Sequence, residues 1–140
     1  MKIVKLILIS FFLLLPLICC DEYFGATVDC DECWSPRPDS ADLIIDLTIE
    51  SPHYNIPIEI YQGHIEDSLI AIDTADHTPY YFYVKTEEYY SVKAEYQVGD
   101  RTIIAVDGDD IKTKRVSDDC GKVCWVVVGG ILNAELKFDE

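Results

Sequence analysis

Four of the six cysteines fall into two short clusters, and they are the residues whose spacing could do chemistry. "DCDECW", residues 29 to 34, carries Cys30 and Cys33. "DDCGKVCW", residues 118 to 125, carries Cys120 and Cys124. A tryptophan follows each second cysteine, Trp34 and Trp125. Three chemistries fit such a set. A C-x-x-C pair can exchange disulfides, but that needs a thiolate stabilised at a helix N-terminus. Asp29, Asp31 and Glu32 surround this pair and would raise a thiol pKa instead. Four thiolates can hold zinc tetrahedrally. Two disulfides can staple the chain, in any of three connectivities. Local pairing closes very small loops and stabilises little. Pairing across the clusters would close loops of about 90 residues, worth roughly 4 kcal/mol per bridge in the chain-entropy model.

The compartment decides among these. The chain opens "MKIVKLILISFFLLLPLICC": Lys2 and Lys5 precede an apolar run from Leu6 to Ile18. That run has signal-peptide length and falls short of the roughly 20 residues that span a bilayer. It ends in Leu17-Ile18-Cys19-Cys20 rather than an A-x-A site. This resembles the lipobox of bacterial lipoproteins, with Leu three positions before the cysteine. The resemblance implies cleavage after Cys19 and a lipid on the Cys20 sulfur. Cys19 departs from the usual Gly, Ala or Ser. Processing at Cys19 would instead put Ile18 in that slot, so Cys20 is preferred. The expected product is a protein held to a membrane by acyl chains, its folded part in water. In an exported chain disulfides persist, so at least one cross-link between the clusters is expected. The alternative is a zinc-stabilised module in which all four cysteines are ligands.

Loss of residues 1 to 19 leaves 9 basic against 26 acidic side chains. A polyanion of this kind has no electrostatic reason to bind nucleic acid. Anionic head groups would repel it, so the membrane contact must be the lipid anchor. The acidic residues are dispersed, as on solvated faces and turns.

The organisation that must position the cysteines follows from hydrophobic period. Residues 1–19 read as the signal peptide, 20–41 as a tether containing C-x-x-C, and 42–140 as one domain. From residue 42 the period is two. "DLIIDLTIE", "IPIEIY", "SLIAIDT", "YYFYVK", "YYSVKAEYQ", "TIIAV", "IKTKRV" and "CWVVV" read as strands. Pro57 implies an edge or a bulge, and the lysines of "IKTKRV" imply another edge. "VGDR" and Asp107-Gly108 read as hairpin turns, and Gly129-Gly130 as a two-residue hairpin into "ILNAELKF". The expectation is an all-β sandwich of about 7–9 strands.

"EEYYSVKAEYQVGDR" resembles the penultimate strand of fibronectin-type, transthyretin-like and other immunoglobulin-like sandwiches, with Tyr90, Val92, Ala94 and Tyr96 on one face. That resemblance implies a corner in which Tyr89 or Tyr90 bonds back to the chain. The pattern from "YYSVKAEY" through "DDCGKVCWVVVGGILNAELKF" also resembles small lipoproteins of the Bacteroides type, which brings an outer-membrane location but no activity. The same resemblance implies O-glycosylation at Asp-Ser/Thr-apolar triplets. Ser40, Ser68 and Thr74 are the candidate acceptors, Ser40 foremost because its segment reads as exposed.

Nothing else forms a catalytic motif. His53, His64 and His77 sit in turns and could meet at one end of the sandwich, which keeps a small envelope enzyme as an alternative. "DGDD" lacks calcium-loop spacing. Tyr81, Tyr83 and Lys85 could form a contact surface if their strand face is open. The expectation is therefore a non-enzymatic, lipid-anchored envelope module without cofactor or metal, serving a protein or glycan partner.

Overall fold

A computed structural model describes residues 30–117 and 121–137. The expected signal peptide, Cys20 and Cys120 fall outside the described residues, as does the side chain of Cys30. Eight strands form two sheets, after a 3-10 turn at Cys30–Glu32. The strands are β1 (Ser40–Asp46), β2 (Ile56–Gln62), β3 (Ser68–Ala75), β4 (Tyr80–Lys85), β5 (Glu88–Val98), β6 (Arg101–Val116), β7 (Cys124–Gly129) and β8 (Ile131–Asn133). One sheet has the order β4-β1-β8, the other β3-β2-β5-β6-β7. The all-β sandwich is as expected. Lettering β1 to β6 as B, C, C′, E, F and G reproduces the B–E and C′–C–F–G adjacencies of an immunoglobulin-like sandwich. β7 then extends the larger sheet, and β8 lies parallel to β1.

The core is built by period-two alternation. Leu43 and Ile45 of β1 face Ile56, Ile58 and Ile60 of β2 and Tyr90, Val92, Ala94 and Tyr96 of β5, all buried. The apolar face expected of β5 is the one it buries. Both ends of that face are tied by tyrosine. At the β4–β5 corner the Tyr90 hydroxyl meets the backbone of Lys85, a contact that offsets part of the upward pKa shift that burial imposes. Of the two tyrosines proposed for the corner, Tyr90 makes it. At the far end the fully buried Tyr96 donates to the carbonyl of Ala134 (2.7 Å) and accepts from the Thr48 N–H (3.1 Å). One hydroxyl thus joins the segment after β1 to the segment after β8.

Four sequence expectations give way. Asp107-Gly108 is no turn: β6 runs through it without a break, and Gly108 pairs with Ser91. A Cβ there would lie 2.9 Å from the Tyr89 ring, which covers the position, so any other residue would push that ring aside. Gly129-Gly130 is no hairpin, since β7 and β8 belong to different sheets. Both glycines have positive φ and carry the chain across the sandwich, and a Cβ on Gly129 would fall 2.0 Å from the Asp110 carbonyl. "IKTKRV" is no edge: β7 pairs along it, and Glu87 accepts the Thr113 N–H from the other side. Finally, β2 lies between β3 and β5. Its Pro57 precedes the β5 ladder and pairs in regular register with Thr74, while the bulge of this strand lies further on, at Ile60/Tyr61.

The acidic "DGDD" segment has a structural use instead. Asp109 accepts the Gly130 N–H (2.9 Å) and Asp107 the Asn133 N–H (2.6 Å). The Gly130 amide is shared between Asp109 and the Asp110 carbonyl (3.0 Å), so the two carboxylates of β6 help fix the crossover and β8. Replacing Tyr96 by Phe removes the shared hydroxyl and leaves two backbone groups unpaired. We expect a loss of about 1–3 kcal/mol in urea unfolding, with the circular-dichroism spectrum unchanged.

Candidate functional site

Residues 33–39 are strapped across the domain, and each fastening can be traced to a side chain. Cys33 is disulfide-bonded to Cys124 at the start of β7, 91 residues away, with Cα atoms 5.6 Å apart. That separation lies within the usual disulfide range of roughly 4.4–6.8 Å. The cross-link between the clusters is therefore present. It also takes two of the four thiolates that a zinc site built from all four cysteines would need. Next to it the two tryptophans exchange backbone hydrogen bonds, Trp34 N–H to the Trp125 carbonyl (2.8 Å) and the reverse (2.9 Å). The strap thereby covers the outer edge of β7 at this point.

Arg37 is the next fastening. Its guanidinium bonds Glu87 (2.7 Å) and Thr113 (2.7 Å) and lies 5.0 Å from the Trp125 ring centroid. Thr86 closes the strap, donating its hydroxyl to Pro38 (3.1 Å) and its N–H to Asp39 (2.9 Å). Glu87 is the hub. The Thr113 hydroxyl and N–H, then Arg37, hold its carboxyl down at about 2.

Between the strap and the open face of the β4-β1-β8 sheet lies a groove of about 490 Å³. Trp34, Asp39, Asp42, Tyr83 and Val127 are among its walls. Trp34 is 57% exposed and Tyr83 69% exposed. Tyr83 stands opposite Asp42 in the β1–β4 register, and Tyr81 opposite Ile44. Alternation puts Tyr81, Tyr83 and Lys85 on the outward face of β4, while Val84 between them is buried. The face proposed from sequence is open, and the strap adds a second aromatic wall to it. Trp34 could not be assigned to this wall from sequence, because its place depends on a contact with Trp125 made across the whole domain. Neither Asp39 nor Asp42 has a side-chain partner among the described residues.

The remaining candidates are dispersed. His53 packs edge-on to Tyr96, and His64 against Tyr89, seven residues away along β5. At about 3.3 Å per residue these two histidines sit near opposite ends of that strand, so the three do not gather at one end. His77 contacts the adjacent Asp76 (2.7 Å), both exposed. Ser68 and Thr74 are exposed on β3, whereas Ser40 is half-buried as the first residue of β1. The pairing of β1 with β4 begins at that residue and removes the exposure expected of it. No protein family, curated protein or solved structure matches the chain.

The strap should loosen in acid. The pKa of Glu87 is lower folded than unfolded, so its contribution is complete above the unfolded value near 4.5 and disappears as pH falls toward 2. Tryptophan fluorescence should change over that interval in the wild type, and the change should shrink in Glu87→Gln.

Proposed function

We propose that this protein is a non-catalytic module of the cell envelope that binds a neutral glycan in the groove between its strap and its smaller sheet. The lipobox-like ending of the leader supports anchorage by Cys20, with the outer membrane as the expected site. The observation that carries the binding reading is the pairing of two exposed rings, Trp34 and Tyr83, with the carboxylates of Asp39 and Asp42, which have no side-chain partner among the described residues. Flat aromatic faces suit the apolar faces of sugar rings, and carboxylates accept hydrogen bonds from sugar hydroxyls. The same carboxylates would repel an acidic saccharide. Arg37, the cation in the wall, is already committed to Glu87 and Thr113.

Several ionisable side chains serve the chain's own structure. Glu59 is held below the usual carboxylate range first by the Tyr61 hydroxyl and then by Lys93. Asp73 is held low by Tyr80 and the Thr74 N–H. Tyr80 is in turn raised to about 12, mainly by burial and then by Asp73. These groups act as fasteners within and between the sheets, which fits binding better than proton transfer.

Two measurements test this reading. On an array of neutral and acidic oligosaccharides the full chain should retain neutral structures. Calorimetry on a retained structure should show at least a tenfold weaker affinity, about 1.4 kcal/mol, for Trp34→Ala and for Tyr83→Ala. Retention of acidic glycans alone, or unchanged affinity in both variants, would remove the glycan reading. Separately, Cys20→Ala should move the protein from the membrane fraction to the soluble fraction. Persistence in the membrane would remove the lipid anchor.

A further inference from the structure

The free edge of β3 is a different surface from the groove. β3 has one neighbour, β2, and the edge on its other side is unpaired among the described residues. It is long for an edge, eight residues, and contains neither lysine nor proline. Soluble proteins commonly blunt such edges with those residues. Instead β3 exposes three branched apolar side chains, Leu69 (47%), Ile70 (40%) and Ile72 (71%). Its inward residues Ala71 and Ala75 pair with the core-facing Ile60 and Ile56, so the strand is firmly seated. Ile72 pairs with Glu59 and stands on the outer face of the sheet.

We infer that β3 accepts an extended segment of a partner protein as a sixth strand of the larger sheet, and that this segment is basic and apolar in alternation. The backbone edge supplies the hydrogen bonds, and Leu69 and Ile72 supply apolar contacts. Charge selects the partner. Glu59, Glu66, Asp67, Asp73 and Asp76 lie on or beside β3, and Lys93 on the same outer face is already paired with Glu59 (3.2 Å) and Glu95 (2.9 Å). A second copy of this chain would bring the same acidic residues to the same edge. Lysine or arginine at alternate positions would meet them with opposite charge.

The probe is a fluorescein-labelled ten-residue peptide of alternating valine and lysine, added to the full chain in mild detergent. Anisotropy should report binding, and amide exchange across residues 68–75 should slow. Ile72→Lys and Leu69→Lys, exposed positions whose folding is checked by thermal melting, should each weaken binding at least tenfold. Tyr83→Ala, in the groove, should leave it unchanged. Equal binding of a glycine–lysine peptide would reduce the effect to bulk charge and overturn the proposal. So would equal binding of a valine–glutamate peptide, unslowed exchange in β3, or a dimer whose β3 amides are protected without peptide.

Discussion

The architecture depends on β6 being unbroken. Its first eleven residues pair with β5, and from Ile111 onward it pairs with β7. At the changeover, Asp107 and Asp109 reach the amides of Asn133 and Gly130. One 16-residue strand therefore carries two ladders and the side-chain support of a third element. If the chain turned at Asp107-Gly108, β7 would lose its partner, Cys124 would lose its place, and the strap would have nothing to fasten to. Tyr89 over Gly108 is the local contact that agrees with this path.

The groove is a product of that same frame. Its floor belongs to the smaller sheet, but its Trp34 wall is held by β7 of the larger one. Neither sheet alone would form it. The clustering of Arg37, Glu87, Thr113 and Trp125 at this seam explains how a strongly acidic chain uses one of its few cations. Arg37 occupies the point where strap, β4–β5 corner and β6 meet, so its planar group can serve all three.

The strands were legible wherever alternation was clean. The buried face of β5 and the open tyrosine face of β4 follow directly from period two, and the "VGDR" turn between β5 and β6 from its Gly-Asp pair. The failures share a cause. Asp-Gly, Gly-Gly and Pro were read by local turn and edge chemistry, whereas their roles are set by distant contacts. Gly108 makes room for Tyr89, and Gly129 makes room for the Asp110 carbonyl. The lysines of "IKTKRV" suggested an edge because the strand partner lies beyond the second cysteine cluster. The proximity of the two clusters was legible in outline because a leader-like start and the cysteine spacing favoured a cross-link. The groove was legible only as one aromatic strand face, since its other wall is assembled by the cross-link itself.

The bond between Cys33 and Cys124 also sets the path of mechanical load. A pull applied to the chain from the side of Cys30, against resistance beyond Cys124, passes through the sulfur bridge and bypasses the 91-residue loop between them. β1 to β6 lie inside that loop and carry no tension along their own backbone. Without the bridge such a pull would reach the first strand, which can peel away. Here the tug arrives at the foot of β7, where the covalent ring closes, and the sandwich hangs from it as a closed link.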